Sequence, residues 1–276
     1  MNNYLLSQTI GDIAGSAYEF APVKEYDRIR MFHPDAYCTD DTVCTFACAE
    51  ALLEGSDMAR TLIRRCWQHP NAGYGGRYRK WLLDAASNLR PQGYVPQPYG
   101  SFGNGSAMRC SAAGWLAQSE EECIRLATAT AAPTHDHPEG IKGAVATALA
   151  IYYLNHGKDK DYVREHVLRK YYPEWAAFSY AQIHPGYTFD ETCQRTVPAA
   201  LICFLESKDY VDCLRLAIAL GGDADTLGAI AGPMAYAHYR EMPAELVERA
   251  MAKMPEWMLE VNRRFDARMQ ELLAAQ

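Results

Sequence analysis

Helical periodicity is the feature that most restricts the fold of this chain. Apolar residues recur at helical spacing in successive windows, alanine is abundant in the long windows, and alternating β-branched runs are nearly absent. This pattern predicts an all-α protein. The predicted helices cover residues 3–16, 41–53, 58–68, 78–83, 106–116, 119–131, 138–155, 160–170, 189–205, 210–220, 225–238 and 243–273, the last with a break near Pro255.

The spacing of these helices indicates one compact domain. Its length of 276 residues can bury a sizeable core, and we find neither an internal repeat nor a low-complexity linker. Two loops interrupt the helical pattern, a Pro/Gly-rich one at 91–105 and another at 172–188. A loop this long inside a compact domain is usually functional. We therefore predict a single domain spanning 1–276.

Composition and charge exclude several classes of protein. The chain is 49% hydrophobic and 22% charged, which is ordinary for a globular protein. Its net charge is -7 and it has no dense Lys/Arg block, so we expect no general nucleic-acid binding. The N-terminus lacks a signal-peptide pattern, and the longest apolar stretch, 227–237, is too short to span a bilayer. We expect a soluble, cytoplasmic protein without a membrane partner.

The cysteines favour packing over chemistry. There are nine of them, an odd number, and no Cys-x-x-Cys pair occurs. Most of them lie within apolar helical patterns. We therefore expect small buried thiols in a reducing compartment, without a disulfide framework or a zinc ribbon.

Two short acidic motifs near opposite ends of the chain carry the strongest chemical signal. Residues 39–42 read TDDT, and residues 221–226 read GGDADT. Together they offer four carboxylates beside hydroxyl side chains. Such an all-oxygen set suits Mg²⁺ or Mn²⁺ and does not suit Zn²⁺. If the two motifs meet in space, four aspartates would balance the charge of two divalent ions.

Each acidic motif also has an ordinary reading. Thr39 can cap the following helix, with Asp40 and Asp41 complementing its dipole. Residues 221–226 can be a glycine helix end followed by an aspartate cap. However, two glycines allow a sharp turn, and an Asp-x-Asp at a bend can aim both carboxylates at one point. Both readings stay open from the residues alone.

A glycine-rich segment precedes another predicted helix. Gly103, Asn104, Gly105 and Ser106 could present backbone N–H groups to a phosphate. An Asn-Gly turn with a serine cap explains the same residues. Arg109 could pair with a phosphate or with a structural carboxylate, and its place within the helix favours the structural pairing.

Four further polar residues lie next to predicted helix ends. His135 and His137 are two apart on an extended segment, so they should not ligate one metal; His135 could contact a ligand, or both could belong to a capping cluster. Glu19 follows the first helix, as a solvated acid or as a functional group. Asp12 could support the metal ligands from behind.

The order of these motifs resembles the ADP-ribosylglycohydrolase family, which includes the dinitrogenase-reductase-activating glycohydrolases. The matching segments are GDIAGSAYE (11–19), TDDT (39–42), SFGNGSAMR (101–109), TH (134–135) and GGDADTLGAIAG (221–232). The resemblance extends over effectively the full length of the chain. Ala224 occupies the variable position of the GGDxDT motif.

The resemblance implies a compact all-α, single-domain helical bundle of the ADP-ribosylglycohydrolase type, with a central cleft for two Mg²⁺ or Mn²⁺ ions. Asp225 is the expected bridge between the ions, and Glu19 lies near the distal ribose. Phe102 and His135 fall where ligand contacts are expected, and the 103–106 loop falls where the diphosphate is held. The implied metal ligands are Thr39, Asp40, Asp41, Asp223, Asp225 and Thr226, the catalytic residues are Glu19 and Asp225, and the substrate contacts are Phe102, Gly103, Asn104, Gly105, Ser106 and His135.

The sequence thus leads to the hypothesis of a metal-dependent hydrolase that cuts the C1″ glycosidic bond between ADP-ribose and an acceptor. Its substrate would be an ADP-ribosylated protein or a small-molecule ADP-ribosyl compound. Arginine is the favoured acceptor; serine, a nucleic-acid base or a small-molecule adduct also fits. Two other classes remain open: a non-catalytic ADP-ribose binder such as an immunity-type partner, and a dinuclear phosphohydrolase that cuts the pyrophosphate.

Overall fold

The computed structural model describes residues 3–87 and 93–274 of the chain. Over these residues the protein is helical and has no β-strand, apart from one isolated bridge between Gly103 and Thr192. The all-α prediction is therefore confirmed. Residues 91–92 of the predicted Pro/Gly-rich loop lie outside the described residues, as do both ends of the predicted domain, 1–2 and 275–276.

The α-helices follow one another along the chain, joined by turns, 3₁₀ turns and loops. They are α1 (Leu6–Ser16), α2 (Asp40–Glu54), α3 (Met58–Trp67), α4 (Gly76–Ala85), α5 (Ser111–Leu116), α6 (Glu120–Ala131), α7 (Pro138–Asn155), α8 (Lys160–Val163), α9 (Arg169–Tyr171), α10 (Tyr180–Ile183), α11 (Cys193–Glu206), α12 (Tyr210–Ala219), α13 (Ala224–Tyr239), α14 (Ala244–Met251) and α15 (Glu256–Ala274). A π-helical turn, Arg164–Leu168, joins α8 to α9. The break expected near Pro255 separates α14 from α15.

Two predicted helices begin four or more residues later than expected. The helix predicted from residue 106 starts at Ser111, after a separate 3₁₀ turn, Asn104–Ser106. The helix predicted from residue 189 starts at Cys193. Just before it, the Asp190 carboxylate accepts hydrogen bonds from the N–H (2.8 Å) and the hydroxyl (2.5 Å) of Thr192. Such local bonds compete with helix formation and hold this segment in a loop.

Helices α1 and α13 form the centre of the core, where their backbones touch. A Cβ atom on Gly11 would lie 2.1 Å from the Gly228 carbonyl oxygen, and one on Gly228 would lie 2.4 Å from the Gly11 oxygen. The same is true one turn away, because a Cβ on Gly15 would lie 2.2 Å from the Ala224 oxygen. Gly11 and Gly15 are four residues apart and share one face of α1. On that face α1 therefore places no side chain between itself and α13.

This contact brings together the ends of the two helices that carry acidic residues. Asp12 lies near the C-terminal end of α1, and Glu19 follows that helix. Asp223 and Asp225 lie at the N-terminal end of α13. The close packing of α1 on α13 therefore joins residues that are far apart in the sequence.

We expect Gly11→Ala to destabilise the fold by more than about 2 kcal/mol, because the added methyl group overlaps a backbone oxygen that cannot move without its helix. Urea unfolding measures this effect. Gly186→Ala is the matched control, because a Cβ at Gly186 meets nothing within 4 Å. Equal unfolding free energies for the two variants would contradict the close contact.

All nine cysteines are free, and eight are buried, in agreement with the prediction of small buried thiols. No helix among residues 3–87 and 93–274 is both long enough and apolar enough to cross a membrane.

Candidate active site

The acidic residues from both ends of the chain line one cavity. Its volume is about 270 Å³. A larger depression of about 770 Å³ lies beside Tyr210 and Tyr236, but none of the site residues predicted from the sequence lines it in the described part of the chain. The predicted site residues that line the smaller cavity are Glu19, Asp40, Asp41, Gly103, Asn104, Gly105, His135, Asp223, Asp225 and Thr226.

Three carboxylates converge most closely within this cavity. One oxygen each from Glu19, Asp223 and Asp225 lies within 4.8 Å of the other two. Asp40 and Asp41 line the same cavity from the start of α2. The Asp41 Oδ2 atom is buried and has no hydrogen-bond partner in the structure as described. The two acidic motifs therefore meet, and one of their oxygens lacks a partner.

The pKa values show the electrostatic cost of this arrangement. Burial, followed by the charge of Asp225, raises the pKa of Asp40, Asp41 and Asp223 well above their usual range. The same two causes, with Glu191 and Asp12 adding to them, raise the pKa of Glu19 to about 8. Buried like charges cannot all ionise without a counter-charge. The residues present thus fit a hard divalent cation, which prefers oxygen ligands and offsets their repulsion.

Asp12 holds the first turn of α2 in place from behind the cavity. It is fully buried, and its Oδ2 accepts the N–H groups of Thr39 (3.0 Å) and Thr42 (3.1 Å). Its Oδ1 accepts the Thr39 hydroxyl at 2.8 Å, and the Thr42 hydroxyl also donates to Oδ2. One carboxylate on α1 therefore fixes the residues on both sides of Asp40 and Asp41.

Asp12→Asn should lower the affinity for Mn²⁺ about 10- to 100-fold, as is typical when a group that orients metal ligands is changed. The amide can no longer accept all four hydrogen bonds, so Asp40 and Asp41 lose their fixed orientation. Isothermal titration calorimetry measures the effect. Thr9→Val, a nearly isosteric change at a buried residue on the same helix, serves as the control. Unchanged Mn²⁺ affinity in Asp12→Asn would contradict this role.

In the structure the first acidic motif both caps a helix and lines the cavity, and the second forms a turn that leads into the cavity. Thr39 does cap α2, because its Oγ1 accepts the Asp41 N–H at 3.2 Å. Asp40 and Asp41 nevertheless face the cavity. Asp223 precedes α13 but makes no side-chain cap. Gly221 has a φ of +75°, which allows the sharp turn that leads into Asp223.

Asn104 links the glycine-rich segment to the acidic cluster. Its Nδ2 donates to Asp223 Oδ2 at 2.7 Å and to Thr196 Oγ1 at 3.1 Å. Its backbone N–H donates to the Glu191 carbonyl at 2.7 Å. The sequence suggested either a phosphate contact or an Asn-Gly turn for this residue. The structure adds a further role, since Asn104 orients a carboxylate of the cluster.

His135 and Arg109 also line the cavity. His135 Nδ1 lies 2.7 Å from Thr134 Oγ1, which accepts a hydrogen bond from Arg109 Nη2 at 2.8 Å. Burial, followed by the charges of Arg109 and Arg77, lowers the pKa of His135 well below its usual range, so the imidazole is neutral. Arg109 Nε donates to the Thr130 carbonyl at 3.0 Å. Its pairing is therefore structural, with carbonyls and a hydroxyl in place of the carboxylate considered from the sequence.

The two histidines of this segment have separate surroundings. His135 lines the cavity, whereas His137 caps α7 by accepting the Glu139 N–H at 3.1 Å. This agrees with the expectation that the two rings do not share a metal.

Three predicted site residues do not line the main cavity. Thr39 is buried behind it, against Asp12. The Ser106 hydroxyl points away and donates to the Gly140 carbonyl at 2.7 Å. Phe102 is 42% exposed and lines a neighbouring cavity of about 390 Å³. A contact through the Ser106 side chain therefore needs a change of rotamer, whereas its backbone N–H lies in the first turn of a short helix.

Several cavity residues were not singled out from the sequence. Those with large or charged side chains include Phe20, Arg77, Tyr78, Tyr99 and Glu191. The GYGG run at 73–76, just before Arg77, was an available signal because glycines often allow close approach to a ligand. No local sequence pattern predicted that Glu191 belongs to the site, since only tertiary contact places it beside Glu19.

Comparison with known proteins assigns the chain to a family. Residues 3–274 match the model of the ADP-ribosylglycohydrolase family, so the chain belongs to that family. The match extends over nearly the whole chain, and it confirms the resemblance identified from the motifs. Membership makes the protein a hydrolase of ADP-ribose linkages.

Individual relatives are distant in sequence, but the alignments cover most of both proteins. Human ADP-ribosylhydrolase ARH3 is 25% identical, over 85% of this chain and 84% of the relative. The ADP-ribosyl-[dinitrogen reductase] glycohydrolase of Rhodospirillum rubrum is 27% identical, over 85% of this chain and 83% of the relative. A solved structure described as an ADP-ribosylglycohydrolase-related protein complex has a TM-score of 0.73 at 23% identity, covering 97% of this chain and 96% of that one, which shows the shared fold.

Proposed function

We propose that this protein removes ADP-ribose from an acceptor by hydrolysing the C1″ glycosidic bond, with an arginine-linked ADP-ribosyl group as the preferred substrate. The observation that supports this most strongly is the convergence of Glu19, Asp223 and Asp225 within 4.8 Å in a cavity that also contains Asp40 and Asp41. The proposed domain is one ADP-ribosylglycohydrolase-like unit over 1–276.

The proposed cofactors are two Mg²⁺ or Mn²⁺ ions. When bound, such ions would neutralise the carboxylates and orient the ribose hydroxyls and the attacking water. The donors are all oxygen, which is why we propose these metals rather than zinc. The proposed ligands are Thr39, Asp40, Asp41, Asp223, Asp225 and Thr226, with Asp225 shared between the ions.

Glu19 is the proposed proton-transfer residue. In the metal-free protein, burial and the charge of Asp225 raise its pKa to about 8. Bound cations would lower that pKa and leave a carboxylate that can accept a proton. It belongs to the converging acids and is only half-buried, so it can face a substrate in the cavity. We propose that it takes a proton from the attacking water or from a ribose hydroxyl.

The diphosphate is proposed to bind at residues 103–106. The backbone N–H groups of Gly105 and Ser106 lie in the first turn of a short helix, where donors are not used within the helix. His135 lies beside this turn, because a Cβ on Gly105 would be 3.0 Å from its Nε2 atom. A neutral imidazole there can donate one hydrogen bond to a phosphate oxygen without adding charge.

A panel of defined linkages tests the proposal. Peptides carrying ADP-ribose on arginine or on serine, ADP-ribosylated DNA and a small-molecule adduct would each be incubated with protein, with and without Mg²⁺ or Mn²⁺. We expect free ADP-ribose as the product, fastest from arginine, with chelation stopping the reaction and either metal restoring it. AMP as the product would indicate pyrophosphate cleavage, and tight ADP-ribose binding without turnover of any linkage would indicate a binding protein.

A further inference from the structure

One lysine joins two chain segments that each lead to or from a cavity residue. Lys24 Nζ donates to the carbonyls of His184 (2.6 Å), Tyr187 (2.7 Å) and Leu220 (3.1 Å). In the other direction, His184 Nε2 lies 3.1 Å from the Lys24 carbonyl. The segment that follows Glu19 is therefore fixed against the segment that leads to Glu191.

Each of these segments presents an exposed phenyl ring. Phe20 is 81% exposed and Phe189 is 44% exposed. Their ring centroids are 6.0 Å apart, with 32° between the ring planes. Phe20 lines the main cavity, and Phe189 lines the adjoining cavity. The two rings thus form an aromatic surface at the opening, beside the residues that would hold the reacting ribose.

Carboxylates lie next to this aromatic surface. Glu191 lines both cavities, and its charge is among the causes that raise the pKa of Glu19, so the two acids act on each other. Arg77, a cation that lines both cavities, is held over the Tyr99 ring at 4.8 Å. Arg195, beside the second cavity, pairs with Asp190 at 3.3 Å. Glu191 has no such ion pair within the described residues.

We propose that Phe20, Phe189 and Glu191 form an acceptor subsite that selects a guanidinium-bearing acceptor over a neutral, hydroxyl-linked one. A guanidinium is planar and weakly hydrated, so it stacks on aromatic rings and pairs with carboxylates. A serine-linked acceptor offers neither the plane nor the charge. This inference rests on the proposed hydrolysis, because the acceptor is the group released there.

The experiment compares three ligands on the wild type, on Phe20→Ala, Phe189→Ala and Glu191→Gln, and on the double variant Phe20→Ala/Glu191→Gln. Dissociation constants for ADP-ribosylarginine, ADP-ribosylserine and free ADP-ribose would be measured by calorimetry on chelator-treated protein, and kcat/KM would be measured with Mn²⁺. Phe178→Ala and Glu174→Gln are matched controls, because Phe178 is 45% exposed and neither residue lines either cavity.

We expect each subsite variant to lower affinity and kcat/KM for ADP-ribosylarginine at least about threefold, and Phe20→Ala/Glu191→Gln to lower them about tenfold or more. Values for ADP-ribosylserine and free ADP-ribose should stay within about twofold, and the controls should match wild type. Equal losses on all three ligands, or none on arginine, would overturn the subsite. Preferred binding of ADP-ribosylarginine that the variants lose, without turnover of any substrate, would refute the proposed hydrolysis and leave the subsite standing.

Discussion

Asp225→Asn is expected to abolish divalent-metal binding and to lower kcat/KM on the order of 1,000-fold or more. The effect should exceed that of Asp12→Asn, because Asp225 is a proposed metal ligand whereas Asp12 only orients ligands. Asp225 belongs to the three converging acids, and its charge acts on Asp12, Asp40, Asp41, Asp223 and Glu19. Calorimetry with Mn²⁺ and turnover of the best substrate measure the two effects.

The same substitution should stabilise the metal-free protein. Burial and then Asp225 raise the pKa of Asp12 from 3.8 to about 7, so the folded state binds that proton more tightly than the unfolded state does. Stability is therefore lost as pH rises from about 4 to about 7. Removing the charge of Asp225 relieves part of this cost, so the increase in Tm should be larger at pH about 8 than at pH about 5.

Asp266→Asn is the matched control for Asp225→Asn. Asp266 is also buried, and burial raises its pKa to about 7, but it lies on α15 and does not line the cavity. We expect its replacement to leave metal binding and turnover unchanged. Undiminished metal binding in Asp225→Asn, or an equal loss in Asp266→Asn, would contradict the assignment of Asp225.

Glu19→Gln should slow turnover about 100- to 10,000-fold, the usual contribution of a proton-transfer group. The amide keeps the shape of the side chain but cannot take a proton, so affinity for ADP-ribose should change by less than about threefold. Single-turnover kinetics and calorimetry separate the two effects. Glu25→Gln, on the same segment and exposed, is the control. Unchanged turnover in Glu19→Gln would remove Glu19 from the mechanism.

The metal-binding half of the site could be anticipated because its carboxylates occur as two close pairs, one in each short motif. TDDT and GGDADT each place two carboxylates within three positions, so any fold that joins the motifs produces a dense acidic cluster. The means of joining them was only partly visible. Small residues such as Gly228 and Gly232 permit close packing of α13, but the direct contact of Gly11 with Gly228 depends on the register between two helices, which no local pattern encodes.

The substrate half was harder to anticipate, because it depends on how side chains orient in three dimensions. Asn104 looked like a turn residue, yet its amide reaches Asp223. Ser106 looked like a cavity residue, yet its hydroxyl bonds to Gly140. Glu191 and Tyr99 come from loops whose positions depend on tertiary contacts. The helix predicted from residue 106 starts later, beyond Arg109, whose guanidinium bonds carbonyls at the end of α6.

Anomalous diffraction from crystals grown with Mn²⁺ tests the central claim most directly. We predict two anomalous peaks in the cavity between α2 and α13, both within coordination distance of carboxylate oxygens and sharing Asp225. These peaks should disappear when the crystals are soaked in chelator. A cavity without anomalous density at saturating Mn²⁺, or manganese bound only elsewhere on the protein, would contradict the account.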